Sequence, residues 1–215
     1  MNILELFAGS RSIGKVAEEL DLQVFSTDIN PYEKINYVVD IIDFDLNKIP
    51  FKPDIIWASP PCTGFSVASI GTHWAGGKNA YIPKTEVTKN GIKMVLKTLE
   101  IINKLEPKYW FIENPRGVLR KMPFMQDLKR NTVTYCQYGD TRMKPTDIWT
   151  NNNNWKPRPM CKNGDSCHES APRGSKTGTQ GKNSAYERSE MPYELCVEVL
   201  NSCKIKDDNL TKQEG

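Results

Sequence analysis

The chain has 215 residues, a net charge of +3 and 26% charged side chains. This length fits one domain of roughly 150 residues plus a shorter segment, and it excludes a large multidomain enzyme. No apolar run approaches the roughly 18 residues that a bilayer-spanning helix requires, so we expect an intracellular protein without a membrane partner. The positive charge is local: residues 151–190 contain seven Lys or Arg residues against four Asp or Glu residues, whereas the rest of the chain contains 22 of each sign.

Residues 1–150 alternate short apolar runs with segments of helical periodicity, a pattern typical of βαβ units and a mostly parallel sheet. The predicted strands are Asn2 to Phe7, Leu22 to Thr27, Asp54 to Ala58, Tyr109 to Ile112, Thr132 to Tyr138 and Asp147 to Thr150. The predicted helices are Ser12 to Leu20, Thr88 to Leu105 and Met191 to Cys203. We therefore predict an α/β protein.

Three stretches do not fit this alternation. Residues 66–88 lack periodicity and are long for a connection in a compact domain, so we expect them to be mobile or functional. Residues 151–190 are rich in Asn, Pro and Gly and poor in large aliphatic side chains, so they cannot build a core by themselves. Residues 204–215 form a charged tail that we expect to be disordered.

The first predicted strand runs into a glycine-containing turn, FAGSRSIG (7–14), before a helix begins. Such a turn lets the backbone approach a nucleotide-like ligand at a helix N-terminus. Asp28 ends the next strand, where its carboxylate could accept hydrogen bonds from ribose hydroxyls, and Asp40 follows an apolar run at 37–39 and could face an adenine amino group. An ordinary tight turn with solvated carboxylates is the alternative, and these residues alone leave both open.

A second motif, SPPCTGFS (59–66), follows the strand that ends at Ala58. Two prolines fix φ and force a rigid exit, which presents Cys62 at the carboxyl edge of a parallel sheet, where ligands bind in open α/β folds. The alternative is a small buried cysteine, the usual fate of a free thiol. A turn after Pro-Pro favours a nucleophile.

A third motif, ENPRG (113–117), follows the strand at Tyr109 to Ile112. We therefore expect Glu113 to project from the same sheet edge as Cys62. A carboxylate there can hydrogen-bond the polar edge of a flipped base. An ordinary helix-capping acid is the alternative.

Five motifs occur in one order along the chain: FAGS (7–10), SPPCTGFS (59–66), ENPRG (113–117), YGDTRMKPT (138–146) and a helix start at Met191 and Pro192. With them the chain resembles a C5-cytosine DNA methyltransferase of a compact, divergent, bacterial or phage type. The pair of Pro-Pro-Cys and Glu-Asn is diagnostic, since amino-group methyltransferases carry an aromatic residue where Cys62 stands. A bacterial cytoplasm, or the host cytoplasm for a phage protein, is the location that this resemblance suggests.

The resemblance implies a Rossmann-like, S-adenosylmethionine-dependent methyltransferase fold at 1–150, a short nucleic-acid recognition segment at 151–190 and a closing helix at 191–203 that packs back on the first domain. It also implies that the Cys62 thiolate adds to carbon 6 of a cytosine flipped out of DNA, while Glu113 holds the exocyclic amine and ring nitrogen 3. The residues implied at the cofactor are Phe7, Gly9, Ser10, Asp28, Ile29, Asp40, Ile41, Pro60 and Ser189.

Three positions depart from the family's pattern. Arg11 stands where a second glycine is usual, which puts close backbone approach to the cofactor in question. Thr146 replaces the arginine expected to hold the cytosine carbonyl, so Arg142 or Lys144 would have to supply that positive charge. Ser189 replaces the asparagine expected to contact the cofactor.

Basic and polar side chains near these motifs are candidates for nucleic-acid contact. The candidates are Ser66, Lys78, Arg116, Arg173, Lys176 and Lys182. Lys78 belongs to a loop that the resemblance implies would close over DNA, and Arg173, Lys176 and Lys182 are natural phosphate contacts within the recognition segment. A solvated basic loop is the alternative for these charges.

Cys161, Cys167 and His168 resemble a partial zinc site in a segment that cannot build a core. Their spacing is irregular, and Cys136 is the most plausible fourth ligand. Free thiols in a loop are the alternative.

The leading hypothesis is therefore methyl transfer from S-adenosylmethionine to carbon 5 of cytosine in DNA. The same chemistry on RNA is the first alternative, since the family includes a relative that acts on tRNA. The second alternative is a non-catalytic protein that binds S-adenosylmethionine or nucleic acid. The departures at Arg11, Thr146 and Ser189 are the reason for considering it.

Overall fold

A seven-stranded sheet forms the centre of the computed structural model, which describes residues 1–76, 80–169 and 184–204. Its strands are β1 (Asn2–Leu6), β2 (Gln23–Asp28), β3 (Tyr37–Val38), β4 (Ile55–Ala58), β7 (Tyr109–Pro115), β8 (Arg130–Thr134) and β9 (Pro145–Thr150), and a separate hairpin contains β5 (Trp74–Ala75) and β6 (Ile82–Pro83). The order across the large sheet is β3-β2-β1-β4-β7-β9-β8. The first five of these strands are parallel, and β9 is antiparallel to both of its neighbours. This topology confirms the predicted Rossmann-like α/β class.

Among the described residues, five α-helices accompany the sheet: α1 (Ser12–Glu19), α2 (Ile70–His73), α3 (Glu86–Leu105), α4 (Ala185–Ser189) and α5 (Tyr193–Ser202). The longest, α3, begins at the N-cap residue Thr85, whose side chain accepts a hydrogen bond from the backbone N–H of Thr88. It ends at Glu106, which takes the left-handed conformation common at helix C-termini.

Hydrophobic cores lie on both faces of the sheet. Successive side chains of a strand point to opposite faces. Ile3 and Ile55 therefore pack in one core with α1 and α5, while Leu4 and Ile56 pack in the other core with α3. Because the central strands are buried on both faces, they read as continuous apolar runs in the sequence.

The sheet order reverses between β1 and β4. From β1 the chain proceeds outward to β2 and β3, and from β4 it proceeds outward in the other direction to β7. In open α/β sheets, a ligand crevice forms at such a switch point, beyond the carboxyl ends of the strands. The turn after β1 and the Pro-Pro-Cys turn after β4 meet at this position.

The structure corrects two element predictions and adds short elements within the stretch 66–88. The strand predicted over Thr132 to Tyr138 ends at Thr134, and Tyr135–Tyr138 forms a 3-10 turn instead. The strand β7 continues to Pro115, so Glu113 lies within the sheet, paired with Ile148 of β9. The stretch 66–88 holds regular structure where it is described, because Trp74 is buried against Phe65 and anchors the β5–β6 hairpin.

The segment after β9 packs onto the sheet domain before it leaves the described residues. Asn152 and Trp155 are buried, and the Trp155 indole N–H donates to Glu198 of α5. The predicted recognition segment therefore starts with residues that belong to the core. Residues 170–183 and the predicted disordered tail beyond Lys204 lie outside the described residues.

Within the part of the chain that is described, there is no helix with the length and apolarity that crossing a membrane requires.

Candidate active site

A first cleft of about 230 Å³ lies at the carboxyl ends of β1, β2 and β3. Seven residues predicted at the cofactor line it: Phe7, Gly9, Asp28, Ile29, Asp40, Ile41 and Ser189. The backbone N–H of Gly9 donates to Asp28 Oδ2 at 2.9 Å, which fixes the turn after β1 against the end of β2. Asp40 N-caps the short 3-10 turn at Ile41–Asp43.

Gly9 adopts a φ of +50°, and a Cβ placed there would lie 3.2 Å from Ser189 Oγ. The lack of a side chain at this position keeps the floor of the first cleft open. Ser189 is itself held by donating to the carbonyl of Tyr186 at 2.6 Å. Tyr186 and Tyr32, which also line the cleft, contact each other edge to face at 5.3 Å between ring centroids, and sequence reasoning did not identify either.

Arg11 occupies the left-handed conformation that glycine usually supplies at the start of such a helix, with a φ of +54°. Its side chain is buried and lines neither cleft of the site. The guanidinium donates to Ser26 Oγ at 3.1 Å and pairs with Glu18 at 2.5 Å. The departure at Arg11 therefore leaves the cleft side of the turn clear.

A second cleft of about 250 Å³ adjoins the first and contains Cys62, Glu113, Lys144 and Pro60. The carbonyl of Pro60 accepts a 2.8 Å hydrogen bond from Asn114 Nδ2, a contact between buried groups of β7 and the Pro-Pro turn. This bond holds the turn that carries Cys62 against the strand that carries Glu113. Ser10 and Pro60, both predicted at the cofactor, line this second cleft rather than the first.

The two clefts are continuous. Phe7, Ser59, Pro61 and Ser189 line both of them. A molecule seated in the first cleft can thus present one end to a molecule in the second, with Cys62 and Glu113 on the far side. The arrangement is suited to group transfer between two bound molecules.

Glu113 is 6% exposed, and burial raises the pKa of its carboxyl above the ordinary value, while the nearby Lys144 opposes that rise. Its Oε1 accepts a 3.1 Å hydrogen bond from the Tyr135 hydroxyl. A raised pKa makes the carboxyl easier to protonate, and the acid form can donate to a ring nitrogen while its other oxygen accepts from an amine. Sequence reasoning missed Tyr135, because it assigned that residue to a strand.

Cys62 is half-buried at the start of the 3-10 turn Thr63–Phe65. Burial, and then the negative charge of Glu113, raise the pKa of its thiol, and Lys144 opposes them. A raised pKa disfavours the thiolate, which is the nucleophilic form of the side chain.

The structure places Lys144 and Arg142 in different surroundings. Lys144 lines the second cleft, its Nζ donates to the carbonyl of Arg188 at 2.8 Å and lies 4.6 Å from the centre of the Tyr135 ring, and burial lowers its pKa. Arg142 is paired with Asp140 outside the second cleft. Of the two predicted cations, only Lys144 lies beside Cys62 and Glu113.

The residues predicted to contact nucleic acid lie in several places. Arg116 is exposed directly after β7, and Ser66 caps the 3-10 turn Val67–Ser69 by accepting from the Ala68 N–H. Lys78, Arg173, Lys176 and Lys182 lie outside the described residues.

The four candidate metal ligands come together at the far edge of the sheet domain. The ligand atoms of Cys136, Cys161, Cys167 and His168 all lie within 4.8 Å of one another. We call these four residues the Cys3His cluster. Cys136, which the sequence suggested only as a plausible fourth ligand, belongs to it.

Comparisons with known proteins give a consistent result. The profile of the C-5 cytosine-specific DNA methylase family matches residues 1–131. A relative from Frog virus 3 (isolate Goorha), named "Probable DNA (cytosine-5)-methyltransferase", is 29% identical over 220 residues, covering 94% of this chain and 100% of the relative.

Two solved structures share the fold. A candidate prophage-encoded DNA modification methyltransferase of E. coli superposes with a TM-score of 0.54 at 14% identity, and the Entamoeba histolytica methyltransferase EhMeth with 0.51 at 13%. The matches cover 75% and 70% of this chain, respectively, and 52% of each solved chain. The chain thus spans about half the length of these two structures.

Proposed function

The chain belongs to the C-5 cytosine-specific DNA methylase family, and from that premise we propose that it transfers a methyl group from S-adenosylmethionine to carbon 5 of cytosine in DNA. The observation that carries the proposal is the continuity of the two clefts. Gly9 and Asp28 line the first cleft, and Cys62 and Glu113 line the second. The name of the Frog virus 3 relative supports the same activity.

The first cleft fits S-adenosylmethionine. The open floor at Gly9 admits an extended ligand, the Asp28 carboxylate can accept from ribose hydroxyls, and Phe7 and Ile41 offer apolar surface to an adenine ring. S-adenosylmethionine supplies an electrophilic methyl group when bound. Ser189 and Pro61, which line both clefts, lie where that group would pass to its acceptor.

The second cleft fits a cytosine that has left its stack. Glu113 is 6% exposed and Cys62 is half-buried, so neither can reach carbon 6 or nitrogen 3 of a base stacked inside a duplex. Extrusion of the target base solves this problem at a cost of a few kcal/mol. We therefore infer base flipping.

Within that cleft the residues have distinct tasks. The Cys62 thiol gives up its proton to a base and its sulfur forms a bond to carbon 6, while the electrons of the carbon 5–carbon 6 double bond move into the ring, where the Glu113 carboxyl stabilises them by a hydrogen bond at nitrogen 3. Carbon 5 is now nucleophilic and would take the methyl group from the sulfonium of bound S-adenosylmethionine, which would leave as the thioether S-adenosylhomocysteine. Removal of the carbon 5 proton by a base then expels the Cys62 thiolate and restores the double bond.

Lys144 takes the role of the arginine that Thr146 replaces. Its Nζ is the cation beside the Tyr135 ring, in the cleft that contains Glu113. There it can contact the cytosine carbonyl and stabilise the Cys62 thiolate. The departures at Arg11 and Thr146 therefore do not favour a non-catalytic binder.

The six cysteines are free thiols among the described residues, which suits a reducing compartment. We propose a cytoplasmic location on that basis.

The test uses tritiated S-adenosylmethionine with two acceptors, a pool of random-sequence DNA duplexes and bulk tRNA. We expect label in DNA from the wild-type protein, a loss of at least about 10³-fold with Cys62→Ala, and little change with Cys203→Ala, a matched loss of a thiol remote from both clefts. A duplex pool containing 5-fluorocytosine should trap a covalent adduct with the wild-type protein only.

Each other outcome contradicts part of the proposal. Label only in tRNA would move the substrate to RNA. Transfer that survives Cys62→Ala would show that Cys62 is not the nucleophile. Label in neither nucleic acid, from protein that binds S-adenosylmethionine normally, would favour a non-catalytic binder.

A further inference from the structure

We propose that the Cys3His cluster binds a structural zinc ion that fastens the start of the recognition segment to the sheet domain. The site is separate from both clefts and does not depend on the proposed methyl transfer. Its four ligands come from two places in the chain, the 3-10 turn Tyr135–Tyr138 after β8 and the irregular stretch 161–168.

Three of the six distances between ligand atoms of the cluster match a tetrahedral zinc site, and all six are within 4.8 Å. With Zn–S of about 2.3 Å and Zn–N of about 2.05 Å, tetrahedral angles put sulfur atoms about 3.8 Å apart and sulfur and nitrogen about 3.6 Å apart. The observed separations are 3.6 Å for Cys167 and Cys136, 3.7 Å for Cys161 and His168 Nδ1, and 3.5 Å for Cys167 and His168 Nδ1. Cys136 and Cys161 are closer, at 3.1 Å, and would separate by about 0.7 Å around an ion.

The donor set selects the metal and its role. Three thiols and one imidazole are soft and borderline ligands, which favour zinc over magnesium or calcium. Four protein ligands fill a tetrahedral shell, so no position remains for a reacting water, and the ion is structural.

Other contacts hold the ligands in place. The Cys161 N–H donates to Thr134 Oγ1 at 3.1 Å, and Gln137 Nε2 donates to Cys167 Sγ at 3.5 Å. Cys136 and Cys161 are buried, whereas Cys167 is exposed. Cys167 therefore forms the solvent-facing side of the site.

The sequence neighbours of the cluster connect it to the recognition segment on one side and to the second cleft on the other. Immediately after His168 the sequence continues into the stretch that contains Arg173, Lys176 and Lys182, the predicted phosphate contacts. Immediately before Cys136 is Tyr135, which donates to Glu113 in the second cleft. A bound ion would therefore anchor residues 161–168, which come directly before the stretch predicted to contact DNA, beside the turn that supports the catalytic carboxyl.

The first test is metal content. Protein purified without added zinc and without chelators is analysed by inductively coupled plasma mass spectrometry, and we expect about one zinc per chain. Cobalt(II) substitution should give the intense visible bands of tetrahedral thiolate coordination. Chelation should lower Tm by about 5 °C or more, because an ion that binds the folded state stabilises it.

Variants separate this site from the active site. Cys167→Ser changes an exposed ligand and His168→Ala removes the imidazole, so both should lose the zinc and the cobalt spectrum. Cys62→Ala is the matched control, and it should keep one zinc per chain while losing methyl transfer.

Three results would overturn the proposal. One is protein from zinc-replete cells that contains no zinc. Another is full zinc content in both ligand variants. The third is a Cys136–Cys161 disulfide in peptide mass spectra of freshly purified protein, since that bond would remove two of the ligands. None of these results bears on whether Cys62 transfers a methyl group.

Discussion

The second cleft and the Cys3His cluster both gather reactive side chains, but different kinds of structure position them. Cys62 lies in the turn after β4 and Glu113 lies within β7, and these adjacent strands are joined by a parallel hydrogen-bond ladder and by the bond from Asn114 to the Pro60 carbonyl. In the cluster, Cys161, Cys167 and His168 come from a stretch without helix or strand.

The difference separates stability from activity. A sheet whose strands are buried on both faces keeps its edge rigid without a ligand, so the second cleft is organised before substrate binds. An irregular stretch has little packing of its own, so its geometry depends on what binds it. We therefore expect changes in the second cleft to reduce catalysis without unfolding the protein. Changes in the cluster should instead destabilise the fold and leave the catalytic groups in place.

The largest effect that would test this comparison is expected for Glu113→Gln. The amide can still contact the base edge, but it cannot supply an acidic proton as charge develops at nitrogen 3. We expect kcat for DNA methylation to fall by about 10²–10³-fold with KM changed less, and Tm and zinc content to stay at wild-type values. A loss of zinc or a large drop in Tm would show that the two regions are not independent.

Tyr135→Phe tests a residue that contacts Glu113 in the second cleft and directly precedes Cys136 of the cluster. The change removes the hydrogen bond to Glu113 and leaves the ring beside Lys144. We expect kcat to fall by about tenfold, the equivalent of one hydrogen bond to a charged group, with zinc retained. An unchanged kcat, measured beside a Glu113→Gln control, would show that the hydroxyl does not support the carboxyl.

The pH dependence of Cys62 alkylation measures the electrostatics of the sheet-held site directly. Glu113 raises the pKa of the Cys62 thiol and Lys144 lowers it. In Glu113→Gln the alkylation curve with iodoacetamide should therefore move to lower pH, because removal of a negative charge favours the thiolate. In Lys144→Met it should move to higher pH. Peptide mass spectrometry of the Cys62 peptide gives the rates, and shifts in the opposite directions would contradict the geometry.

The smallest effect is expected just outside the first cleft, in Arg11→Gly. The change removes buried hydrogen bonds to Ser26 and Glu18, and it relieves a left-handed conformation that costs a side chain about 1 kcal/mol. The two effects oppose each other, so we expect a loss of about 1 kcal/mol in the free energy of unfolding. S-adenosylmethionine affinity should change less than about twofold, whereas Asp28→Asn should weaken it by about tenfold. Equal losses in both variants would place Arg11 in the cofactor site.

Local patterns predicted much of the fold and part of the site. The apolar runs and the 3.6-residue spacing located β1, α1, β4 and α3 to within a few residues, because burial on one or both faces imposes those periods. The Pro-Pro turn and the strand predicted before Glu113 correctly indicated that Cys62 and Glu113 lie at one edge of the sheet. Residues 135–138 were misassigned because an aromatic run after a strand has the composition of a strand, and only the chain reversal at Gly139 shows otherwise.

The sequence by itself determined the family, the α/β class and the meeting of Cys62 with Glu113, because strand order and rigid turns are encoded in short stretches of chain. Only the tertiary structure distinguished Lys144 from Arg142, brought Tyr135 to the carboxyl, and gathered Cys136 with three ligands some 25 to 32 positions away. Such contacts depend on the path of segments that have no periodicity. For these segments the long-range packing, rather than the local pattern, decides which side chains meet.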